Sequence, residues 1–88
     1  FQKFISKAGI SIVITVTYSR VLEHYPDKGK IFAHMEAGHA GQNIYLQAVS
    51  LDLGTVAIGA FRDNEIKNIM DLPEGEEPLY IFPVGRMR

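Results

Sequence analysis

The apolar residues of the chain fall into two different patterns in its first half. A nearly continuous run over residues 10–18, rich in Ile and Val, predicts a β-strand that is covered on both faces. Over residues 31–53 the apolar positions recur every three or four residues without proline, which predicts one long helix ended by Gly54. A strand followed by a long helix is therefore expected.

The predicted long helix is apolar around most of its circumference and contains glycine in its interior. Gly38 and Gly41 each cost about 1 kcal/mol relative to alanine in a helix. Close approach of another backbone is the usual compensation for such a cost. We therefore expect this helix to lie inside the structure or against a partner.

Shorter patterns before and after the helix predict the remaining elements. They are a helix end over residues 1–8 closed by Gly9, a helical turn over 20–25, a strand over 55–58, a helix capped by Asp63 and running to about residue 71, a loop over 72–78, and a strand over 79–84 broken by Gly85. This order predicts a sheet with helices packed on it.

Composition limits the class of protein. The 88 residues suffice for one small domain, and the net charge of -1 gives no basis for attracting nucleic acid. Without cysteine there is no disulfide, thiolate metal site or thiol nucleophile. The basic and then apolar beginning is similar to a secretory signal, but its β-branched residues favour a strand, and the run is too short to span a bilayer. We expect a cytoplasmic protein without membrane attachment, and the initial Phe suggests a piece of a longer chain.

No pattern of reactive side chains predicts a metal site or a catalytic residue. His34 and His39 are five residues apart, whereas the helical zinc motif requires four, so surface histidines are favoured. The acidic segment PEGEEP is typical of a solvated turn. The segment GTVAIG lacks the Lys and the Ser or Thr of a phosphate-binding loop, and a packed strand is its simpler interpretation.

The basic end of the chain allows two interpretations. Arg86 and Arg88 follow the last predicted strand, where two guanidinium groups could bind a phosphate. They could equally belong to a frayed and solvated terminus. The pattern alone does not decide between these alternatives.

Two ordered segments resemble a known family. EAGHAGQNIYLQAVSLDLGTVAIGAF and LPEGEEPLYIFPVGR resemble the C-terminal half of the nitroreductase family, nearest to its SagB-type branch. The preceding AGISIVITVTYSRVLEHY resembles the strand that leads into the central helix of that family. The resemblance implies an α+β fold with a mixed, mainly antiparallel sheet and a long central helix. It also implies that residues 1–88 are the C-terminal portion of a single nitroreductase-like domain.

The same resemblance implies a flavin enzyme. In this family a homodimer binds FMN between its subunits, NAD(P)H gives a hydride to the flavin, and a nitroaromatic, quinone or similar small molecule accepts it. No protein nucleophile is needed. Ala57, Ile58, Gly59 and Ala60 match the segment beside the isoalloxazine ring, with an N–H directed toward N5. Basic positions that contact the FMN phosphate are matched by Arg86 and Arg88.

One large departure keeps other functions open. The N-terminal half of the family, with its Arg-Ser-x-Arg type segment for phosphate and ribityl binding, has no counterpart in these 88 residues. The chain is therefore a fragment of a longer flavoenzyme, or a truncated relative that acts without catalysis as a dimerising structural module. Binding of a flavin or another planar ligand for sensing or storage is a third alternative.

Overall fold

The computed structural model describes residues 9–86, so the helix end expected over residues 1–8 lies outside it. Along the chain the elements are β1 (Ile10–Thr17), α1 (Tyr18–His24), α2 (Gly29–Ser50), β2 (Leu53–Thr55), α3 (Asp63–Met70) and β3 (Glu76–Arg86). The expected strand, long helix, short helix and final strand are all present. Their order gives an α+β chain, as predicted.

The three strands form an antiparallel sheet in the order β1, β3, β2. Val84 in the central strand faces Ile10 of β1 on one side and Thr55 of β2 on the other. The prediction that Gly85 breaks the last strand is wrong, because Gly85 pairs with Gly54 and the strand continues to Arg86. Two glycines opposite each other let the ladder continue without side chains to pack.

β1 does not have the cover that its apolar sequence predicts. Its first residues are largely exposed, with Ile10 at 61% and Ile12 at 38%, and the rest of the strand is half-buried. Within residues 9–86, β1 pairs only with β3, and α2 packs mainly on β2, β3 and α1. The prediction of a strand buried on both faces is therefore wrong for this part of the chain.

The long helix ends earlier than the glycine pattern predicts. α2 stops at Ser50, and the left-handed residue that turns the chain is Asp52, with φ of 59°. Aspartate tolerates this conformation better than most residues, so no glycine is required there. Gly54 is the middle residue of β2 instead. The predicted helix stop at Gly54 is wrong by three residues.

α3 begins at Asp63, so its N-cap position lies one residue before the predicted cap. Arg62 is the residue at the N-cap position, and Asp63 is the first helical residue rather than the cap. Asp63 and Glu65 both lie in the first turn, where their carboxylates interact favourably with the positive end of the helix dipole. The prediction of Asp63 as a capping side chain is therefore wrong, while the helix itself is confirmed.

The core forms where α2 crosses the central strand. Ala33, Ala37, Gly41 and Ala48 are the buried residues of this helix face that approach the sheet. The ring of Phe82 is fully buried, and a Cβ at Gly41 would lie only 2.8 Å from its Cζ atom. Gly41 therefore admits a buried aromatic ring, rather than the second backbone that its sequence context predicts.

Substituting Gly41 tests this contact. We expect Gly41→Ala to lower the free energy of unfolding by about 1 kcal/mol, because overpacking outweighs the gain in helix propensity. In a Phe82→Leu background the shorter side chain leaves room, so the same Gly41→Ala change should become neutral or stabilising. Chemical denaturation of the four variants gives this coupling. Equal effects of Gly41→Ala in both backgrounds would contradict the contact.

Candidate functional site

The segment that the sequence predicts as part of a binding site, residues 57–60, follows β2 at an edge of the sheet. Ile58 forms an isolated bridge with Ile81, in which each N–H donates to the other carbonyl at 2.9 Å. This bridge continues the register of Thr55 with Val84. Residues 56 and 57 lie between these two pairs and belong to neither. The edge is therefore interrupted for two residues and then resumes at Ile58.

A proline in the central strand explains the interruption. In this register Val56 lies opposite Pro83, at a position where two strands would normally exchange both hydrogen bonds. Pro83 has no N–H to donate, so that exchange cannot form. The Thr55 hydroxyl donates to the Pro83 carbonyl instead, at 2.9 Å. The chain thus leaves the ladder beside Pro83.

The N–H of Ala57 finds a partner on the long helix. It donates to the hydroxyl oxygen of Tyr45 at 2.7 Å, and both residues are partly buried. The Tyr45 ring packs edge-on against Phe82, with centroids 5.7 Å apart. Sequence reasoning did not identify Tyr45. The available signal was a phenol on the predicted long helix, because a tyrosine hydroxyl needs a hydrogen-bond partner when it is buried.

The next two residues present backbone donors at the surface. Gly59 and Ala60 are exposed. Among residues 9–86, their N–H groups have no hydrogen-bond partner, whereas those of Ala57 and Ile58 are both used. Ala57, Gly59 and Ala60 also carry no side chain larger than a methyl group. Within residues 9–86, the segment therefore offers two backbone donors that have no partner and no large side chain of their own residue.

Gly59 is not required by packing within the described chain. A Cβ at this position would meet only the Tyr80 ring, at an ordinary contact distance of 3.8 Å. Its φ is not in the left-handed region that favours glycine. Packing within the described residues therefore does not require glycine here. A ligand or partner lying close to this backbone would require it.

Arg86 lies at the opposite end of the pairing between β3 and the edge formed by β2 and Ile58. It is the exposed last residue of β3 and faces Leu53 of β2. Ile81, the partner of Ile58, is five residues earlier on the strand, a distance of about 17 Å in an extended chain. Arg88 lies outside the described residues. The Gly59 segment and Arg86 can thus contact two ends of one elongated ligand, but not the same group.

A separate open cleft of about 700 Å³ lies between β1, α1, α2 and the residues before β3. Its polar lining includes Arg20, Glu36 and Glu74, and none of the predicted site residues within residues 9–86 contributes to it. The cleft is therefore distinct from the segment that the sequence singled out.

His34 and His39 lie on the surface of α2, as predicted. The Tyr18 hydroxyl and the Nε2 atom of His34 are 2.7 Å apart, which joins α1 to α2. Burial first, and then the carboxylates of Glu77 and Asp63, raise the pKa of Tyr18 above its usual value of 10.0, so the phenol keeps its proton near neutral pH. Over residues 9–86 no three His, Asp or Glu side chains are grouped closely enough to hold a metal ion.

None of the helices within residues 9–86 combines the length and apolar character that crossing a membrane requires.

Comparison with known proteins gives the family. The model described as "Nitroreductase family" matches residues 1–86, and the chain belongs to the nitroreductase family. A curated protein of Methanocaldococcus jannaschii, provisionally named a nitroreductase, is 49% identical over 85 residues, which make up 97% of this chain and 42% of that protein. The resemblance predicted from the sequence is confirmed.

Solved structures confirm the fold. A provisionally assigned nitroreductase from Ralstonia eutropha matches 89% of this chain with a TM-score of 0.79 and 29% identity. Another from Anabaena variabilis matches 92% with a TM-score of 0.84 and 34% identity. The matched parts are 37% and 17% of those two chains. This chain therefore has the nitroreductase fold but spans less than half the length of these relatives.

Replacing Gly59 tests whether it is free of packing constraints. We expect Gly59→Ala to leave the free energy of unfolding unchanged or to raise it by up to about 1 kcal/mol, because alanine reduces the freedom of the unfolded chain. Chemical denaturation measures the effect, with Gly41→Ala as the destabilising comparison. A loss of stability as large as that of Gly41→Ala would show that Gly59 is constrained within the fold.

Proposed function

We propose that this chain is the C-terminal portion of one nitroreductase-like domain and that the protein is an FMN-dependent oxidoreductase. Family membership over residues 1–86 supports this proposal. The observation that carries it is the exposed segment Gly59–Ala60, whose N–H groups have no partner within residues 9–86. Such a surface suits a flat heteroaromatic ring that accepts hydrogen bonds at its edge.

The residues of the segment fit a flavin ring in size and in polarity. Gly59 and Ala60 allow a ring to lie close to the backbone, and their N–H groups are suitable donors to a ring nitrogen or carbonyl. Ala57 and Ile58 hold the preceding backbone in place, since their N–H groups donate hydrogen bonds to Tyr45 and Ile81. In this proposal, Gly59 or Ala60 supplies the N–H that approaches flavin N5.

Arg86 is proposed to bind the phosphate end of the cofactor. Arg86 is exposed and lies five residues along β3 from Ile81, the partner of Ile58. This separation suits an elongated ligand with a flat ring at one end and an anion at the other. Arginine can hold phosphate with two parallel hydrogen bonds. Arg88 follows two residues later in the sequence and is proposed as a second phosphate contact.

When bound, FMN supplies the hydride chemistry between NAD(P)H and an acceptor such as a nitroaromatic or a quinone. The part of this chain is to bind and orient the cofactor through backbone N–H groups and arginine, without a side-chain nucleophile. A cytoplasmic location belongs to the same proposal, because reduced nicotinamide is available there.

A homodimer is the proposed assembly. One side of α2 carries a stripe of exposed apolar residues, Ile31, Met35, Leu46 and Val49, with exposed fractions between 54% and 72%. Gly38 lies on the same side and has no neighbour within 4 Å of its would-be Cβ. A second copy packed on this stripe would cover apolar surface that is otherwise in water.

The alternative function is a dimerising structural module without catalysis. The exposed stripe on α2 favours this alternative as much as it favours an enzyme, and the chain spans only 42% of its archaeal relative. Binding of a flavin without turnover, for sensing or storage, lies between the two. Uptake of FMN separates the structural module, which would not bind it, from the enzyme and from the flavin-binding protein without turnover.

Titration with FMN tests the proposed function. We expect the purified protein to bind FMN stoichiometrically with a change in the visible flavin spectrum, and to transfer electrons from NAD(P)H to a quinone or nitroaromatic only when FMN is present. A folded dimer that takes up no FMN would favour the structural module. FMN uptake without turnover would favour the sensing or storage function. Full activity after removal of FMN would contradict the proposal.

A titration of the Arg86→Ala variant tests the proposed contact with the FMN phosphate. We expect Arg86→Ala to weaken FMN binding roughly 10- to 100-fold, the equivalent of a charge-assisted hydrogen bond. Binding of riboflavin, which lacks the phosphate, should change little. Arg20→Ala removes an exposed arginine outside the site and serves as control. An equal loss for FMN and riboflavin would argue against a phosphate contact.

The dimer proposal is tested on the apolar stripe. We expect Val49→Glu to convert a dimer into a monomer, because the charge would have to be buried without a partner. Asn43→Glu adds the same charge on another side of α2 and should leave the dimer intact. Light scattering measures the mass of each variant, and circular dichroism verifies folding. A Val49→Glu dimer of normal stability would place the interface elsewhere.

A further inference from the structure

We propose that Tyr45 is a positioning residue that fixes the Gly59 segment for its ligand; this inference rests on the proposed function. The contact is a hydrogen bond of 2.7 Å from the Ala57 N–H to the Tyr45 hydroxyl oxygen. It joins the long helix to a segment that has left the sheet. Tyr45 itself need not touch the ligand.

The hydrogen bond adds an attachment where pairing with β3 is incomplete. Opposite Pro83 the ladder lacks one donor, so residues 56 and 57 are not held by β3. Ile58 directs its N–H and carbonyl toward Ile81, and neighbouring residues of an antiparallel strand direct theirs the other way. The Ala57 N–H consequently points away from β3, where Tyr45 meets it. Without Tyr45, this stretch would be attached only at Thr55 and Ile58.

Tyr45 is itself held firmly enough to act as an anchor. Its ring lies at 81° to that of Phe82, which is fully buried, and Phe82 is confined in turn by Gly41. A phenol packed in this way has few alternative rotamers, so its oxygen occupies a defined position. The backbone at Ala57 takes its position from the same core.

Two consequences for ligand binding follow. The N–H of Ala57 is used by Tyr45, so it is removed from the set of donors available to a ligand. The next N–H that points away from β3 by the same alternation is that of Gly59, which has no partner within residues 9–86. Tyr45 thus fixes the backbone two residues before Gly59, one of the two donors proposed for the flavin.

Tyr45→Phe removes the hydroxyl and keeps the ring against Phe82. In the complete natural polypeptide, we expect this variant to speed site-resolved hydrogen exchange of the Ala57 amide about tenfold or more, with or without FMN. We expect FMN affinity to fall roughly 3- to 10-fold and the absorption band of bound flavin to shift. Tyr18→Phe is the matched control, since it also removes one hydroxyl and a 2.7 Å hydrogen bond, but one that does not involve the Gly59 segment.

Each outcome decides the inference. Faster Ala57 exchange with weaker FMN binding and a shifted band in Tyr45→Phe, but not in Tyr18→Phe, supports it. Unchanged exchange at Ala57, or faster exchange with unchanged FMN affinity and spectrum, overturns the positioning role while the proposed function stands. Equal loss of FMN affinity in both variants shows a general effect of stability and also overturns it. A wild-type protein that takes up no FMN overturns the proposed function, and the inference with it.

Discussion

The packing of the Phe82 ring against the backbone of Gly41 is the contact on which the other features depend. It sets how closely α2 approaches the central strand, because no other residue type than glycine leaves room for the ring at that point. Tyr45, one helical turn further along α2, then contacts the same ring from its edge. Through this arrangement the core determines where the Tyr45 hydroxyl lies, and the hydroxyl determines where the chain after β2 runs.

The central strand both organises the sheet and interrupts it. β3 pairs with β1 along one side, and with β2 and Ile58 along the other. Pro83 removes one hydrogen bond from the second side, at the place where a continuous strand would otherwise extend from Thr55 to Ile58. A sheet position that is poor for pairing thereby becomes the start of a segment with exposed donors. In this chain, the candidate site follows directly after the part of the sheet edge that this proline interrupts.

The sequence predicted the elements better than their ends, and the family better than the site. Periodicity and β-branched residues were sufficient for the order of strands and helices, since these depend on local pattern. Gly54 and Gly85 were misread as breaks, because opposite each other in the sheet they form an ordinary pair, which only the register reveals. The role of Tyr45 could not be predicted, because it depends on a contact across the turn between α2 and β2. The resemblance singled out Gly59 and Arg86 as candidates, and the structure adds the separation between them.

The bond between Tyr45 and Ala57 also bears on association between chains. An open sheet edge with a row of outward donors is a template on which a foreign strand can add. Here the edge after β2 is short, it is interrupted beside Pro83, and its Ala57 donor is already occupied by a phenol from the helix. An intruding strand would have to displace that phenol and would still lack a continuous ladder beyond it. The same contact that steadies this edge therefore protects it against edge-to-edge aggregation.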